Sequence, residues 1–340
     1  MSKSKEFSMK AIVVSERGNP SVLQLQNVAK PIPKPGEVLL KVKAAGVNFV
    51  DIMQHQGSYP RQLPTPYIPG MEVAGIVADV GEGVSNTLIG SRVAAITAFA
   101  GGYAEYAVVP RQQLVPLPDG ISDRTALALL VQGLSAFFLL NGAGRLKSGE
   151  SVLVHAAAGG VGNMAVQIAK LMGAGLVIGT ASSEKKRSRL YEIGVDCAVN
   201  YTDPNWSQEV LTATQGQGVD IILDSVGASM VSSNLYCIAT GGRFVTYGWL
   251  SGEFPVFTSE QMKGILFKNQ SITGFAVDVW IEQHPEQFNT SLQQLFTWSL
   301  EGKLHPVFNP TFSLKDAAFA HTAILNRETS GKVILTVDGL

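Results

Sequence analysis

Three polar side chains in the stretch GVNFVDIMQHQGSYP, residues 46–60, are of types that could act on a carbonyl compound. The amide NH₂ of Asn48 and the phenolic hydroxyl of Tyr59 can each donate a hydrogen bond to a carbonyl oxygen as negative charge develops there. Asn48 on its own would equally suit a turn. Asp51 is interpreted either as a helix cap, which is favoured, or as a pocket residue. The stretch predicts a catalytic site built on Asn48 and Tyr59.

A glycine-rich loop, HAAAGGVG at residues 155–162, follows the apolar run SVLV and precedes an amphipathic segment. The free N–H groups and the dipole of a helix N-terminus suit a pyrophosphate, and glycine lets the ligand approach the backbone. The order of strand, glycine loop and helix favours a dinucleotide site over a tight turn without a ligand. The predicted contacts in this loop are Ala158, Gly159, Gly160, Val161 and Gly162.

The end of the next predicted strand indicates which dinucleotide is bound. NAD-binding proteins usually carry an acidic residue there for the ribose hydroxyls, whereas this strand ends GTAS, residues 179–182. Ser182, Ser183 and the basic run 185–187 could bind a 2′-phosphate, and Glu184 lies near the acid position but among cations. A lysine of this run could equally be an ordinary solvated residue. The pattern favours NADPH over NADH.

The predicted strands and helices that carry these residues fall into two groups. The first third of the chain consists of β-branched runs separated by Gly and Pro, which predict β-structure, and an apolar helix over 125–140 follows. From residue 151 short strands alternate with helices, and a last helix and strand end the chain. The predicted fold class is α/β, with a β domain and a doubly wound parallel sheet.

Ligands of open parallel sheets bind beyond the carboxyl ends of the strands. The motifs DSVG (224–227) and YGWLSG (247–252) fall at such ends, and SITGF closes a further strand. Trp249, Phe257 and Trp280 could shape a bulky apolar acceptor site, although core packing is the default for aromatic residues. Further predicted cofactor contacts at these ends are Ser225, Gly227, Tyr247, Gly248 and Phe275.

Composition excludes several classes of protein. The net charge of −1 predicts no basic face, so nucleic acid is not an expected partner. Cys197 and Cys237 are the two cysteines, too few for a disulfide framework or a multi-cysteine metal cage. The start MSKSKEFSMK has no apolar core and does not resemble a signal peptide. The apolar run 125–140 is shorter than the roughly 20 residues of a membrane span. We therefore expect a soluble, cytoplasmic protein with no membrane partner.

Five motifs, in their order and spacing, resemble the zinc-independent NADPH:quinone oxidoreductases of the medium-chain dehydrogenase/reductase superfamily. The resemblance extends along nearly the whole chain. GVNF and AAAGGVG occur together also in enoyl reductase domains of polyketide synthases, so the motifs indicate this branch and not a substrate. The motifs are GVNFVD (46–51), HAAAGGVG (155–162), NY (200–201), DSVG (224–227) and NRETSGKVIL (326–335).

The resemblance implies a domain organisation. Residues 1–128 and 276–340 would form a GroES-like substrate domain, and residues 129–275 a Rossmann domain that binds NADPH. It also implies a homo-oligomer, a dimer or tetramer whose Rossmann sheets join edge to edge. The run from GRFVTYG to SITGF could provide that edge.

The resemblance also assigns roles to single residues. Lys186, Tyr201 and Arg327 match positions that hold the 2′-phosphate in the family. Gln132 and Ser135 resemble positions that approach the nicotinamide, where the family commonly has lysine and threonine. Polar interruption of a buried helix is the alternative for both.

A second tyrosine of the family's pocket is replaced here by Met53, which predicts a more apolar pocket. The predicted substrate-binding residues are Asn48, Asp51, Met53, Tyr59 and Gln132.

Zinc alcohol dehydrogenases of this superfamily carry a Gly-His-Glu motif, which reads Gly70-Met71-Glu72 here. No cysteine precedes residue 197, and the five histidines are scattered singly along the sequence, which indicates surface or structural histidines. Zinc needs three or four converging ligands. No metal is therefore expected, and a zinc alcohol dehydrogenase is excluded.

The expected function is hydride transfer from NADPH to a small-molecule acceptor, either a quinone or the β-carbon of an α,β-unsaturated carbonyl compound. An enoyl-thioester reductase is the nearest alternative. From another class, the chain could be a zeta-crystallin-like protein that binds NADPH with little turnover.

Overall fold

The structure is a computed structural model that describes residues 8–97 and 99–337. Strands dominate the first third and then alternate with helices, as the sequence predicts. Its strands are β1 (Ser8–Val14), β2 (Leu23–Ala29), β3 (Glu37–Val47), β4 (Glu72–Val80), β5 (Arg92–Ile96), β6 (Tyr106–Pro110), β7 (Leu114–Pro116), β8 (Ser151–Val154), β9 (Leu176–Ala181), β10 (Cys197–Asn200), β11 (Val219–Asp224), β12 (Ile238–Thr246), β13 (Ser271–Gly274), β14 (Phe308–Ser313) and β15 (Ser330–Thr336).

The helices follow the same alternation. Two π-helical segments, Ala128–Gly133 and Leu139–Ala143, flank α3, and short 3₁₀ turns occur in several connections. The α-helices are α1 (Phe49–Gln56), α2 (Asp123–Leu127), α3 (Leu134–Phe138), α4 (Gly160–Leu171), α5 (Glu184–Glu192), α6 (Trp206–Ala213), α7 (Val231–Cys237), α8 (Ser259–Phe267), α9 (Val277–Gln283), α10 (Pro285–Leu300) and α11 (Ala317–Leu325).

The first of two compact units comprises residues 8–131 and 308–337 of the described chain. Its main sheet has the order β14-β15-β3-β4-β5-β7, and β6 pairs with β3. Strand β3 is mostly buried, with Lys41 exposed, and leads into α1 through Asn48; the C-cap of α1, Gly57, has a left-handed φ of 76°. The terminal strand β15 runs antiparallel to β3. This pairing brings the C-terminal part of the chain beside the start of α1.

The second unit, residues 132–307, contains a six-stranded sheet of order β10-β9-β8-β11-β12-β13 in which all neighbouring pairs are parallel. The order reverses between β8 and β11, so this is the switch point at which open sheets bind ligands. Every residue of β8 is buried. The predicted α/β fold class, a β domain with a doubly wound parallel sheet, is confirmed.

The unit boundaries differ from the predicted domain boundaries. The structure divides the chain after residues 131 and 307, where the sequence predicts divisions after 128 and 275. Helices α9 and α10 belong to the second unit because their tryptophans pack on α3. The Trp280 and Phe138 rings lie 6.0 Å apart and those of Trp298 and Phe137 6.1 Å. Such packing between distant segments leaves no local signal in the sequence.

The helical stretch Asp123–Ala143 is long and apolar enough to cross a membrane by length and composition. In the structure 83% of its most apolar 18-residue segment is buried inside the protein. The stretch is a buried helix, as predicted.

Candidate functional site

Asn48 forms the N-cap of α1, directly after β3, and its side chain is held at both ends. The Nδ2 amide donates to Glu72 Oε1 at 2.7 Å, and Lys332 Nζ donates to Asn48 Oδ1 at 2.9 Å. Lys332 and Glu72 also form an ion pair in which the side chains are 1% and 0% exposed. A buried charge is tolerated when it is paired and hydrogen-bonded. The ion pair therefore fixes which way the Asn48 amide is turned.

Gly46 gives this ion pair its space. A Cβ atom at residue 46 would overlap Glu72 Oε1 and would lie 2.7 Å from Lys332 Cε. Both atoms are in fully buried side chains that cannot turn away into solvent. The end of β3 therefore requires glycine at this position, two residues before Asn48.

Asp51 is buried in the first turn of α1 and accepts the Asn48 backbone N–H at 2.8 Å on Oδ2. This is the capping contact that the sequence favours for Asp51. Burial raises the pKa of Asp51 to about 7; the Asn48 N–H and the Lys332 cation lower it, and the Glu72 carboxylate raises it. The carboxyl group is therefore far less acidic than an ordinary aspartate.

A chain of buried side chains continues from Asp51. The Tyr103 hydroxyl lies 3.2 Å from Asp51 Oδ2 and 3.1 Å from His321 Nε2. His321 Nδ1 lies 3.1 Å from His55 Nε2, and His55 Nδ1 lies 2.9 Å from the carbonyl oxygen of Gly18. Burial lowers the pKa of both histidines, that of His321 to about 3. Both imidazoles are therefore neutral near neutral pH.

The spacing of the histidines in the sequence gives no sign of this pair. His55 and His321 are 266 positions apart in the sequence, and their rings stack at 5.2 Å. Glu72, Tyr103 and Lys332 were missed for the same reason. A buried lysine in the apolar strand β15 was the one available signal, because lysine is almost never buried unless it is paired.

The other predicted substrate residues of the first unit follow on α1. Met53 is half-buried and accepts the backbone N–H of Tyr59 at 3.3 Å. Tyr59 is also half-buried, and its ring centroid lies 5.8 Å from that of Phe99. Tyr59 therefore lies beyond the end of α1, whereas Asn48 lies at its beginning.

Met71 is buried beside the ion-paired Glu72. Among residues 8–97 and 99–337, no group of three or more His, Cys, Asp or Glu side chains is placed to hold a metal ion. Glu72 Oε1 is bound by Lys332 and Asn48. The Gly-Met-Glu motif therefore takes part in an ion-pair network.

In the second unit, the glycine loop links β8 to α4 and is tightly wound. Ala156 adopts a left-handed φ of 48°. Gly159 is the N-cap residue of α4 and has no side chain to bond the free N–H groups of the helix. A Cβ at Gly162 would overlap the Ala156 carbonyl oxygen, and one at Gly160 would overlap the Gln132 amide. The N–H groups of the first turn of a helix have no partner within the helix and can bind an anion. Gln132 therefore packs against the predicted pyrophosphate loop.

The loop after β9 carries the residues predicted to choose the dinucleotide. Ser183 caps α5 by accepting the Lys186 N–H at 3.3 Å. Glu184 pairs with Arg187 at 2.5 Å, and its side chain is 81% exposed. Arg187 Nη1 is buried without a hydrogen-bond partner in the described structure. Ser182 is half-buried, like Lys186, whereas the neighbouring lysine is exposed.

The structure does not bring all three predicted 2′-phosphate residues together within one unit. Lys186 and Tyr201 belong to the second unit, where the half-buried Tyr201 ring packs against the core. Arg327 belongs to the first unit, where it is exposed after α11 with a left-handed φ of 58°.

The remaining predicted contacts lie at or beside the carboxyl ends of the parallel strands, except Ser135, which is buried in α3. Gly227, after β11, has a left-handed φ of 97°, and a Cβ at Gly248 would lie 2.9 Å from the Ser225 carbonyl oxygen. The backbone N–H of Tyr247 donates to Asp224 at 2.9 Å. Phe275 follows β13 directly. Ala158 lies half-buried in the loop after β8, and Val161 lies half-buried in the first turn of α4.

The three aromatic residues proposed for an acceptor site are spread through the second unit. Phe257 packs against the sheet core beside Phe244, at 6.0 Å between the rings. The Trp249 ring is tilted against that of Phe254, at 4.2 Å between the centroids, and Trp280 packs on Phe138. Phe257 therefore packs against the core, as is the default for aromatic residues. Trp280 likewise packs against a buried phenylalanine.

Comparisons with known proteins agree with this architecture. Residues 34–119 match the alcohol dehydrogenase GroES-like domain family, and residues 160–297 match the zinc-binding dehydrogenase family. The quinone oxidoreductase of Rattus norvegicus is 35% identical over 329 residues, 96% of this chain and 97% of the relative. The 2-haloacrylate reductase of a Burkholderia species is 33% identical over 333 residues, 96% and 98% of the two chains.

A solved structure, the Escherichia coli quinone oxidoreductase complexed with NADPH, superposes with a TM-score of 0.88 at 29% identity. The match covers 97% of this chain and all of the other. The resemblance seen in the motifs is thereby confirmed. The chain belongs to the quinone oxidoreductase family of the medium-chain dehydrogenase/reductase superfamily, and it is an oxidoreductase.

Proposed function

We propose that this chain is a zinc-independent reductase that uses NADPH to reduce a quinone or an α,β-unsaturated carbonyl compound. The observation that carries the proposal is the strand-end surface of the second unit. There the N-terminus of α4, which has no side-chain cap, follows β8 at the switch point, and two serines and the basic start of α5 follow β9. Bound NADPH supplies the hydride. Ala158, Gly159, Gly160, Val161 and Gly162 would hold its pyrophosphate.

The loop after β9 supports NADPH over NADH. A ribose-binding acid is expected at the strand end in NAD enzymes, but the Glu184 side chain is exposed and paired with Arg187. The side chains of Ser182, Ser183 and Lys186 are of types that can bind a 2′-phosphate. The buried Arg187 Nη1, which has no partner among the described residues, adds positive charge at the same loop. A solved relative named as a complex with NADPH agrees with this assignment.

The first unit supports an acceptor that needs no Lewis acid. Met71 occupies the position of the histidine in the zinc motif, and Glu72 is paired with Lys332. Quinones and α,β-unsaturated carbonyl compounds are electron-poor and accept hydride with little activation. A relative named 2-haloacrylate reductase acts on a molecule of the second class. Asn48 and Tyr59 would stabilise the negative charge that develops on the acceptor oxygen.

We also propose a soluble, cytoplasmic homo-oligomer that joins through the β13 edge of the six-stranded sheet. β13 ends the sheet order among the described strands. Leu266 and Phe267 of the neighbouring α8 are 70% and 82% exposed, which is unusual for side chains of this size.

The test measures oxidation of NADPH and, in parallel, of NADH with 1,4-benzoquinone and with 2-cyclohexen-1-one. The expected result is turnover with at least one acceptor and a lower KM for NADPH. Faster reduction of the quinone or the enone identifies the acceptor class. Tight NADPH binding without turnover of either compound would overturn the proposal. Crotonyl-coenzyme A would then distinguish an enoyl-thioester reductase from a protein that only binds the cofactor.

A further inference from the structure

The buried chain that runs from Asp51 to the Gly18 carbonyl has a defined direction. We propose that Asp51 is a neutral carboxylic acid that donates its proton to Tyr103, and that Tyr103, His321 and His55 are positioning residues. Through Asp51 they hold the start of α1, and with it Asn48, in place for the reaction. This role in catalysis rests on the proposed function, whereas the state of Asp51 does not.

The direction follows from the Gly18 end of the chain. A carbonyl oxygen can only accept, so His55 must carry its proton on Nδ1. In a neutral imidazole the other nitrogen is then an acceptor. His55 Nε2 therefore accepts from His321 Nδ1, at 3.1 Å. The same rule makes His321 Nε2 an acceptor, and its partner is the Tyr103 hydroxyl, at 3.1 Å.

The Asp51 end of the chain then lacks a proton unless the carboxyl group provides it. A phenol has one proton, and the bond to His321 uses it. The Tyr103 oxygen still lies 3.2 Å from Asp51 Oδ2. Two oxygens at that distance form a hydrogen bond only if Asp51 donates. A protonated Asp51 thus completes all four bonds with both histidines neutral.

The alternative is an ionised Asp51, which the surroundings oppose. Tyr103 would then donate to Asp51, and the chain would need a second proton on a buried histidine or would lose a bond. Tyr103, His321 and His55 are fully buried, where an unpaired imidazolium is costly. Burial lowers the pKa of both histidines and raises that of Tyr103. Both histidines therefore stay neutral, and Asp51 and Tyr103 keep their protons.

The charges around Asp51 leave burial as the deciding factor. Lys332 from β15 favours the ionised carboxyl group, and Glu72 from β4 opposes it, so that the two members of the ion pair act against each other. The Tyr67 hydroxyl also interacts electrostatically with Asp51 and is itself uncharged, since burial raises its pKa to about 12. The pKa of Asp51 rises to about 7 even with the lowering effect of a hydrogen bond donated by Tyr103 included. Asp51 is thus protonated below that pH.

The chain reaches the reaction site through one atom. Asp51 Oδ2 also accepts the backbone N–H of Asn48, at 2.8 Å. A change in the proton on Oδ2 therefore changes the bond that fixes the first turn of α1. The three positioning residues do not contact Asn48 in this chain of bonds, and they act on it through Asp51.

The test follows the ¹³Cγ resonance of Asp51 in full-length protein by NMR as a function of pH, with Asp51→Asn to assign the signal. In the wild-type chain Asp51 should titrate near neutral pH, about three units above its ordinary value. In His321→Phe the Tyr103 hydroxyl becomes free to donate to the carboxylate. The pKa of Asp51 should then fall by about one unit, a tenfold change in its acidity.

Tyr103→Phe is the matched control. It removes the hydroxyl that would donate to the carboxylate, so the further effect of His321→Phe should disappear: Asp51 should have the same pKa in Tyr103→Phe and in Tyr103→Phe/His321→Phe. If His321→Phe does not fold, His55→Gln replaces it, because His321 can then turn its proton towards Tyr103. Titration of Asp51 near its ordinary value, or no fall in either histidine variant, would overturn the proposal.

A second readout separates this inference from the proposed function. The alkaline limb of the pH profile of kcat/KM should lie near pH 7 in the wild-type chain and move down by about one unit in His321→Phe. If Asp51 titrates as expected and no acceptor is reduced, the neutral acid stands and the proposed function fails. An alkaline limb that stays in place while the NMR pKa falls would overturn the positioning role.

Discussion

The polar network of the first unit and the strand-end surface of the second are built in opposite ways. The network consists of charged and aromatic side chains from α1, β4, β15, α11 and the segment before β6, and the structure buries them. The strand-end surface consists mainly of backbone, in short loops that directly follow β8, β9, β11, β12 and β13. One region holds its geometry through long-range side-chain contacts, and the other through local chain conformation.

The two regions are sensitive to different kinds of substitution. A network of buried ions depends on every partner, because removing one leaves the other charge uncompensated. A backbone loop has no such partner to lose, and it is disturbed by added atoms where glycine makes room. Deletion of side chains should therefore harm the polar network most, whereas the strand-end surface should respond mainly to added methyl groups.

The largest expected effect tests the network. Lys332→Met leaves the buried Glu72 without its cation and should destabilise the protein by about 3–5 kcal/mol in urea unfolding. Glu72→Met/Lys332→Met removes both charges and should recover most of that loss. Lys41→Met, on the exposed face of β3, is the control and should change stability by no more than about 0.5 kcal/mol. A loss below about 1 kcal/mol in Lys332→Met would remove the contrast between the regions.

The next effect concerns a side chain in the region made mainly of backbone. If Lys186 binds the 2′-phosphate, Lys186→Ala removes a charged hydrogen bond worth roughly 1.5–3 kcal/mol. The Kd for NADPH, measured by fluorescence titration, should rise about tenfold to a hundredfold, while that for NADH stays the same. Lys185→Ala is the matched neighbour, exposed in the same helix, and should leave both constants unchanged. Equal losses in the two variants would place the phosphate elsewhere.

A smaller effect tests the response to an added methyl group. In Gly162→Ala the new Cβ would overlap the Ala156 carbonyl oxygen and lie 2.7 Å from Ala157 Cα, and neither is a flexible side chain. We expect a loss of about 1–3 kcal/mol in stability. In Gly264→Ala nothing lies within 4 Å, and the residue is inside α8, so stability should stay constant or rise by up to about 1 kcal/mol. A neutral Gly162→Ala would show that the loop yields.

The smallest effect concerns Tyr59, a half-buried residue that belongs neither to the polar network nor to the strand-end surface. Tyr59→Phe should lower kcat by about tenfold, less than the 10²–10³ expected for a buried oxyanion donor, and leave the Kd for NADPH unchanged. Tyr236→Phe removes an exposed hydroxyl that donates to Gln208 at 2.9 Å, and it serves as the control. Equal kcat in the wild-type chain and Tyr59→Phe would take Tyr59 out of the reaction.

The same contrast explains what could be predicted from the sequence. The strands, the parallel sheet and the loops of the second unit have local signatures in the sequence, because glycine and serine at a strand end determine the conformation of the chain at their own positions. The network has none, because Lys332 reaches Asn48 across 284 positions and His55 reaches His321 across 266. The capping contact of Asp51 was predictable, as it spans three residues. The protonation state of Asp51 depends on burial, which only the folded chain defines.

Gly46 has a consequence for how this protein can change during evolution. An alanine there would overlap the ion pair of Glu72 and Lys332, so the methyl group becomes acceptable only after that pair has been lost. Substitution of Glu72 alone or of Lys332 alone leaves a buried charge without its partner, so the pair is lost only through a destabilised protein. The three positions therefore form a locked set in which the order of mutations is constrained. Relatives that carry a larger residue at this position should also have replaced the lysine and the glutamate.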